Sequence, residues 1–250
     1  MNCALRTLLC ALIFTLLSCT TMRETGFLDR PGYVVYVPHN YDARKSWPVI
    51  LFLHGSGERG DDAMRATQIG IGAAIRHDRD LVPAIVVFPI APEETRWLDA
   101  EADGAMRALD RTIGEFNVDR HRVYLTGLSM GGYGAYHLAL AHPDRFAALV
   151  VVCGGLLPHA STTAVRQSPL TMHAADPYAF VAESLKHIPI WLFHGADDPI
   201  IPVEESRRMN EELRRAGADV HYTEYAGVGH NAWDRAYSDG AMWTWLFEQH

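Results

Sequence analysis

A strand that must turn straight into a helix limits a fold more than anything else in this sequence. Val123-Tyr124-Leu125-Thr126-Gly127-Leu128-Ser129-Met130-Gly131-Gly132-Tyr133-Gly134-Ala135 reads as a short apolar strand, then Gly-x-Ser-x-Gly, then a helix rich in small residues. That is the pattern of a nucleophile elbow. So sharp a turn leaves no room for a Cβ two residues before or after its apex. Gly127 and Gly131 supply the room, and Ser129 projects its hydroxyl clear of the sheet. Gly131, Gly132, Gly134 and Ala135 let the helix start close against the strands. Its N-terminus aims backbone N–H groups and a positive dipole end at any oxyanion that forms there. The plainer alternative is a serine in an ordinary glycine-rich turn.

The other strand and helix signals fit the same architecture. Residues 33–38 form a first strand stopped by proline. Residues 48–53 and 84–89 are near-continuous apolar runs, as expected of strands covered on both faces. Residues 64–77 are compatible with a helix. Met106, Leu109, Ile113 and Phe116 have helical spacing over 105–116. The helix after Ser129 runs to His142-Pro143. Residues 146–153 and 190–193 are strands, 203–216 a helix stopped by Gly217, 220–225 an alternating edge strand, and 233–247 mostly a closing helix. Strands alternating with helices predict an α/β fold with a mostly parallel sheet flanked by helices on both faces. Residues 156–188 lack a clear period and are read as a segment inserted over the C-terminal edge of the sheet.

The first residues stand apart. Arg6 precedes an apolar run, residues 8–17, too short for a comfortable membrane span and suited to a secretory signal. Leu16-Leu17-Ser18-Cys19 resembles the lipobox of bacterial lipoproteins, which implies lipidation at Cys19 and an outer-membrane location in a Gram-negative cell; the alternative is ordinary cleavage nearby and a periplasmic or secreted protein. The expected organisation is a signal peptide over 1–18, a tether over 19–30 and one domain over 31–250. Of four cysteines, Cys3 and Cys10 leave with the signal and Cys19 carries lipid, so Cys153 is left alone as a small buried hydrophobe. A formal net charge of −8 without a Lys/Arg cluster argues against nucleic acid as a partner. The only membrane contact expected is the lipid anchor.

A serine hydroxyl needs a base to take its proton and an acid to hold that base. In an open parallel sheet, sites form beyond the C-terminal strand ends. Two such loops follow Ser129. One holds Asp197 and Asp198, and the other is Ala226-Gly227-Val228-Gly229-His230-Asn231. Either aspartate could serve, although Pro199 biases Asp198 towards an extended backbone. Among thirteen histidines, only His230 lies in a glycine-flanked loop after the last strand. His54 and His194 each precede a glycine at a strand end and are read as structural, holding loop backbone. One oxyanion donor is the N–H of Met130, directly after the nucleophile. The other must come from the loop after residues 48–53.

Four stretches together carry a family resemblance. They are Leu53-His54-Gly55-Ser56-Gly57-Glu58-Arg59-Gly60, Gly127-Leu128-Ser129-Met130-Gly131-Gly132, His194-Gly195-Ala196-Asp197-Asp198-Pro199-Ile200-Ile201-Pro202 and Gly227-Val228-Gly229-His230-Asn231-Ala232-Trp233. In this order the chain resembles the α/β-hydrolase superfamily, within its dienelactone-hydrolase and carboxylesterase-like group. That group includes polyhydroxybutyrate-depolymerase-like and feruloyl-esterase-like enzymes, and a look-alike set of predicted peptidases. The resemblance implies a catalytic triad of Ser129, Asp198 and His230. Its His-Gly-x-x-Asp-x-x-Val-Pro pattern selects Asp198, with Ile201 in the valine slot. It also implies Ser56 as the second oxyanion donor, with Gly57 as the fallback.

The expected chemistry is hydrolysis of a small-molecule or polymer-derived carboxylic ester through an acyl-enzyme, with no cofactor. A peptidase using the same triad and a non-catalytic surface-binding lipoprotein remain as rivals. Trp97, Tyr133 and Trp233 are candidate pocket residues. Glu58 and Arg59 either pair to brace their loop or face substrate. Gly55-Ser56-Gly57-Glu58-Arg59-Gly60 satisfies Gly-x-Gly-x-x-Gly, but the adjacent Asp61-Asp62 would repel a pyrophosphate. No spacing in the sequence supports a metal site.

Overall fold

The computed structural model describes residues 25–159 and 165–250. Eight strands form one sheet: β1 (Gly26–Arg30), β2 (Tyr33–Val37), β3 (Trp47–Leu53), β4 (Ile85–Pro89), β5 (Val118–Leu128), β6 (Ala148–Val152), β7 (Ile190–Gly195) and β8 (Val220–Tyr225). Their spatial order is β1-β2-β4-β3-β5-β6-β7-β8. The first two strands pair antiparallel, as do β2 and β4, and every later pairing is parallel.

Seven α-helices accompany the sheet in the described residues: α1 (Ile71–His77), α2 (Asp99–Glu115), α3 (Met130–Ala141), α4 (Pro177–Leu185), α5 (Glu204–Arg215), α6 (Trp233–Ala236) and α7 (Gly240–Glu248). Side chains alternate across each strand, so one chain feeds two cores. Leu51, Leu53, Val87 and Leu125 face α2, α3, α4 and α5. Ile50, Phe52, Phe88 and Val150 face α1, α6 and α7. Burial on both faces is what the unbroken apolar runs of β3, β4 and β6 require.

Several boundaries differ from expectation. The tether expected over 19–30 is partly strand, because residues 26–30 pair with β2 as an antiparallel edge. Residues 63–77 are not one helix. A short 3₁₀ turn, Ala63–Thr67, is separated from α1 by Gly70 at φ 56, and a Cβ there would press on Phe52 and Leu128. The helix expected from residue 105 begins at Asp99. The closing helix is two, split before the Asp239 side chain, which caps α7 by accepting from the Ala241 N–H. The segment expected over 156–188 ends in a crossover helix. Asp176 caps α4, and Val181, Ala182 and Leu185 pack into the core. Cys19 and the signal segment lie outside the described residues.

Candidate active site

The candidate nucleophile is positioned by backbone geometry. Ser129 lies between β5 and α3 at φ 53 and ψ −120, a conformation that L side chains adopt at a cost of about 1–3 kcal/mol. Its neighbours explain how it is held. A Cβ on Gly127 would collide with the carbonyl of Gly131, and one on Gly131 with the carbonyl of Leu53. The Ser129 N–H donates to Val152 O at 2.9 Å, tying the apex to β6.

His230 Nε2 lies 2.8 Å from Ser129 Oγ, and His230 Nδ1 lies 2.7 Å from Asp198 Oδ2. A carboxylate only accepts, so Nδ1 carries the proton and Nε2 is free to accept from the serine hydroxyl. Pro199 and the turn after it shape the acid. Asp198 Oδ1 accepts from the N–H groups of Ile200 and Ile201 at 2.8 and 3.0 Å. Burial pushes the Asp198 carboxyl up, but hydrogen bonds from His194, His230 and Ile200 outweigh it and hold the group well below the usual carboxylate range. Asp197 is exposed and offers its N–H to Val228 O. Of the two candidates, only Asp198 meets the histidine.

The loop after β3 is braced from several directions. His54 Nδ1 donates to Gly55 O at 2.6 Å, and the Ala91 N–H donates to His54 Nε2 at 3.0 Å. Burial lowers the His54 pKa to about 4, so the ring is neutral. The Trp97 indole N–H donates to His54 O at 2.9 Å. Arg59 Nε donates to Ser56 O, and Arg65 Nη2 to Gly57 O, each at 3.0 Å. Arg59 thus braces carbonyls, including that of Thr95. The half-buried Glu58 carboxyl is pushed up by burial, against the pull of the Gly55 and Glu58 N–H groups. This loop runs against the nucleophile: a Cβ on Gly55 would sit 3.6 Å from Ser129 Cβ. Ser56 follows Gly55 on one side, and Met130 opens α3 on the other, where helix N–H groups lack intrahelical partners.

The three aromatic candidates separate. The rings of Trp233 and His230 meet at right angles, with centroids 5.4 Å apart. Trp97, at 1 % exposure, is a core brace rather than a pocket wall. Tyr133 is also buried, and its hydroxyl donates to Leu157 O at 3.0 Å, holding the segment after β6. The space that Trp97 and Tyr133 share beside Met130 is about 10 Å³, too small for a substrate group. Cys153 is fully buried at φ 40, and burial pushes its thiol up. Its ligand atom lies within 4.8 Å of those of Asp198 and His230. Both nitrogens of His230 are already engaged, which leaves that trio no free imidazole donor for a metal. The residues that sequence reasoning passed over are Glu205 and Ser206. Each buries a polar group, and neither belongs to a motif.

Comparison with known proteins gives the family. The model of the esterase family, described as "Putative esterase", matches residues 27–245. The chain belongs to this family. It is 25% identical over 251 residues to a poly(3-hydroxyoctanoate) depolymerase of Pseudomonas fluorescens, covering 91% of this chain and 83% of that protein. It is 25% identical over 266 residues to feruloyl esterase B of Thermothelomyces thermophilus, covering 94% and 88%. Among solved structures, a thermostable esterase superposes with a TM-score of 0.72 at 30% identity, covering 87% of this chain and 58% of that one. Other curated relatives are longer. The chain spans 26% of a secreted protein of Arthroderma benhamiae, with 25% identity over 248 residues.

Proposed function

We propose that this chain is a serine hydrolase of carboxylic esters in which Ser129, His230 and Asp198 act together. The observation that carries this is the pair of short hydrogen bonds from Asp198 through His230 to Ser129, 2.7 and 2.8 Å, ending on a serine held at positive φ. His230 Nε2 takes the hydroxyl proton as Ser129 Oγ attacks the acyl carbon. Asp198 keeps the ring in the required tautomer and stabilises its cation. The N–H groups of Met130 and Ser56 receive the oxyanion of the tetrahedral intermediate. His230 then passes the proton to the leaving alcohol. Water, deprotonated by the same ring, releases the acid and restores the serine.

The substrates of the depolymerase and feruloyl esterase relatives support an ester of a small molecule or a polymer as the substrate class. Export is supported by the apolar run at 8–17, and lipid attachment at Cys19 by the lipobox-like residues before it. Among the described residues no helix is long and apolar enough to cross a membrane. Several acyl chains on Cys19 would anchor the domain stably.

A fluorophosphonate probe tests the mechanism. Peptide mapping should locate the adduct on Ser129, and Ser129→Ala should lose both label and turnover. An unlabelled Ser129 in folded wild-type protein would refute the assignment. A panel of p-nitrophenyl esters and aminoacyl anilides should show turnover of the esters, and preferential cleavage of anilides would make the enzyme a peptidase. Cys19→Ser should move the protein to the soluble fraction, and unchanged fractionation would remove the anchor.

A further inference from the structure

The carboxylate that orients His230 is shared with a second histidine. His194, at the end of β7, is fully buried. Its Nε2 lies 3.2 Å from Asp198 Oδ2, the same oxygen that receives His230 Nδ1. The same nitrogen lies 3.0 Å from Ile201 O. A carbonyl and a carboxylate both only accept, so Nε2 carries the proton, donating to Ile201 O with Asp198 Oδ2 beside it at 3.2 Å. Nδ1 is then the accepting nitrogen, and Ser206 Oγ, 2.7 Å away in the first turn of α5, donates to it. Ser206 is 1 % exposed, so no water competes for the bond.

We propose that His194, held in one tautomer by Ser206, is a positioning residue that divides the charge of Asp198 and thereby sets how strongly His230 holds its proton. The proposal rests on the triad reading given above. The Asp198 carboxylate accepts from two backbone N–H groups on Oδ1 and from His230 on Oδ2, and the protonated His194 Nε2 lies 3.2 Å from the same Oδ2. Each donor stabilises the anion, and each takes a share of its lone-pair density. With His194 in place, Oδ2 is pinned in line with His230 and Ser129, and its attraction for a cationic His230 is moderated. Without His194, Oδ2 belongs to His230 alone. The imidazolium is then more stable and the ring is a less mobile base.

Around the pair, the thiol of Cys153 and the phenol of Tyr133 stay uncharged near neutrality and the Glu224 carboxyl stays ionised. Burial pushes up the Cys153 thiol beyond β6 and the Tyr133 hydroxyl on α3. On β8, hydrogen bonds from Arg207 and Tyr222 hold the Glu224 carboxyl down at about 2. On α5, Glu205 is occupied by the Leu156 N–H, His159 and the Tyr178 hydroxyl. His230 is the partner whose titration the arrangement addresses.

The test is the pH dependence of kcat/KM for a p-nitrophenyl ester in His194→Leu, His194→Gln and Ser206→Ala. His194→Leu should lower kcat about 10–100-fold, the worth of one hydrogen bond to a charged group. It should also move the acid limb up by roughly half to one pH unit. Ser206→Ala should move the limb the same way by less. His194→Gln, whose amide N–H can reach Asp198, should restore most of the activity and return the limb towards wild type. A purely structural role would lower folded protein without moving the limb. If His194→Leu does not fold, Ser206→Ala and His194→Gln decide. An acid limb unmoved in every folded variant overturns the proposal, as does a glutamine variant displaced as far as the leucine one. The low-field Nδ1–H proton resonance of His230 in a Ser129→Ala background separates the two levels of failure. If that resonance is absent with His194 intact, the triad reading fails. If it is present and titrates identically with and without His194, the triad stands and this proposal falls.

Discussion

Two loops in this molecule begin with the same dipeptide at the end of a buried strand: His54-Gly55 after Leu53, and His194-Gly195 within the end of β7. Both histidines are fully buried, and the shared dipeptide does not distinguish them. Their partners differ in kind. His54 bonds only to backbone, donating to Gly55 O and accepting from the Ala91 N–H. His194 reaches a carboxylate and a hydroxyl as well as a carbonyl. One ring holds the peptide that precedes Ser56. The other touches the carboxylate that meets His230. A short motif therefore fixes where a histidine stands and leaves open whether it braces the backbone or tunes a charge.

The sharpest contrast lies within the second loop. Asp198→Asn should lower kcat on the order of 10⁴-fold, by analogy with the protease triad, while Asp197→Asn should leave steady-state kinetics unchanged. A large loss in the second variant would move the acid by one residue. Next in size is the brace of the first loop. His54→Gln should cost about 10²–10³ in kcat if it displaces the Ser56 donor, with the acid limb of the pH profile unmoved. A shifted limb would erase the distinction between the two histidines.

The loops also differ in what acid does to the fold. His54 takes up a proton near its ordinary value of 6.5 when unfolded but only near 4 when folded. The native state therefore binds fewer protons between those values. The contribution to stability is complete above about pH 6.5 and falls, by up to about 3 kcal/mol, as the pH drops towards 4. Asp198 acts lower. Its depressed folded pKa gives stability that is present above its ordinary 3.8 and is lost as pH falls further. Urea midpoints measured from pH 8 to 4 should show the first slope in wild type and not in His54→Gln. The smallest expected effect is that of Trp97→Phe, which removes the indole bond to His54 O and should cost about 1 kcal/mol. A matching loss of activity would mean that Trp97 also sets the position of Ser56.

Much of this site was legible because its parts are local. The elbow at Ser129 follows from glycines two residues to either side, and the structure shows the backbone collisions that a Cβ at either would cause. His230 stood out as the histidine of a glycine-flanked loop beyond the last strand. The aromatic residues were not legible. Nothing in the residues beside Trp97, Tyr133 and Trp233 tells what each ring will touch, yet of the three only Trp233 lies against His230. The segment over 156–188 misled for a different reason. Asp176-Pro177 is a helix-start signal, and Tyr178, Val181, Ala182 and Leu185 recur at i, i+3, i+4 and i+7, but this repeat is only two turns long and is lost in the aperiodic, proline-containing stretch before it. Nor did Ser206 announce itself. A helical serine is unremarkable until the strand beside it carries a histidine at 2.7 Å.

By itself, the order of residues determined the strand–elbow–helix unit, the alternation that makes a doubly covered parallel sheet, and the loops that carry the acid and base. These follow from sterics and periodicity, which act within a few residues. Tertiary structure alone decided which aromatic ring borders His230 and that a second imidazole lies against the Asp198 carboxylate. Those are matters of distance between segments far apart in the chain. They are fixed only when β5, β6 and β7 lie side by side and bring their C-terminal ends to one edge.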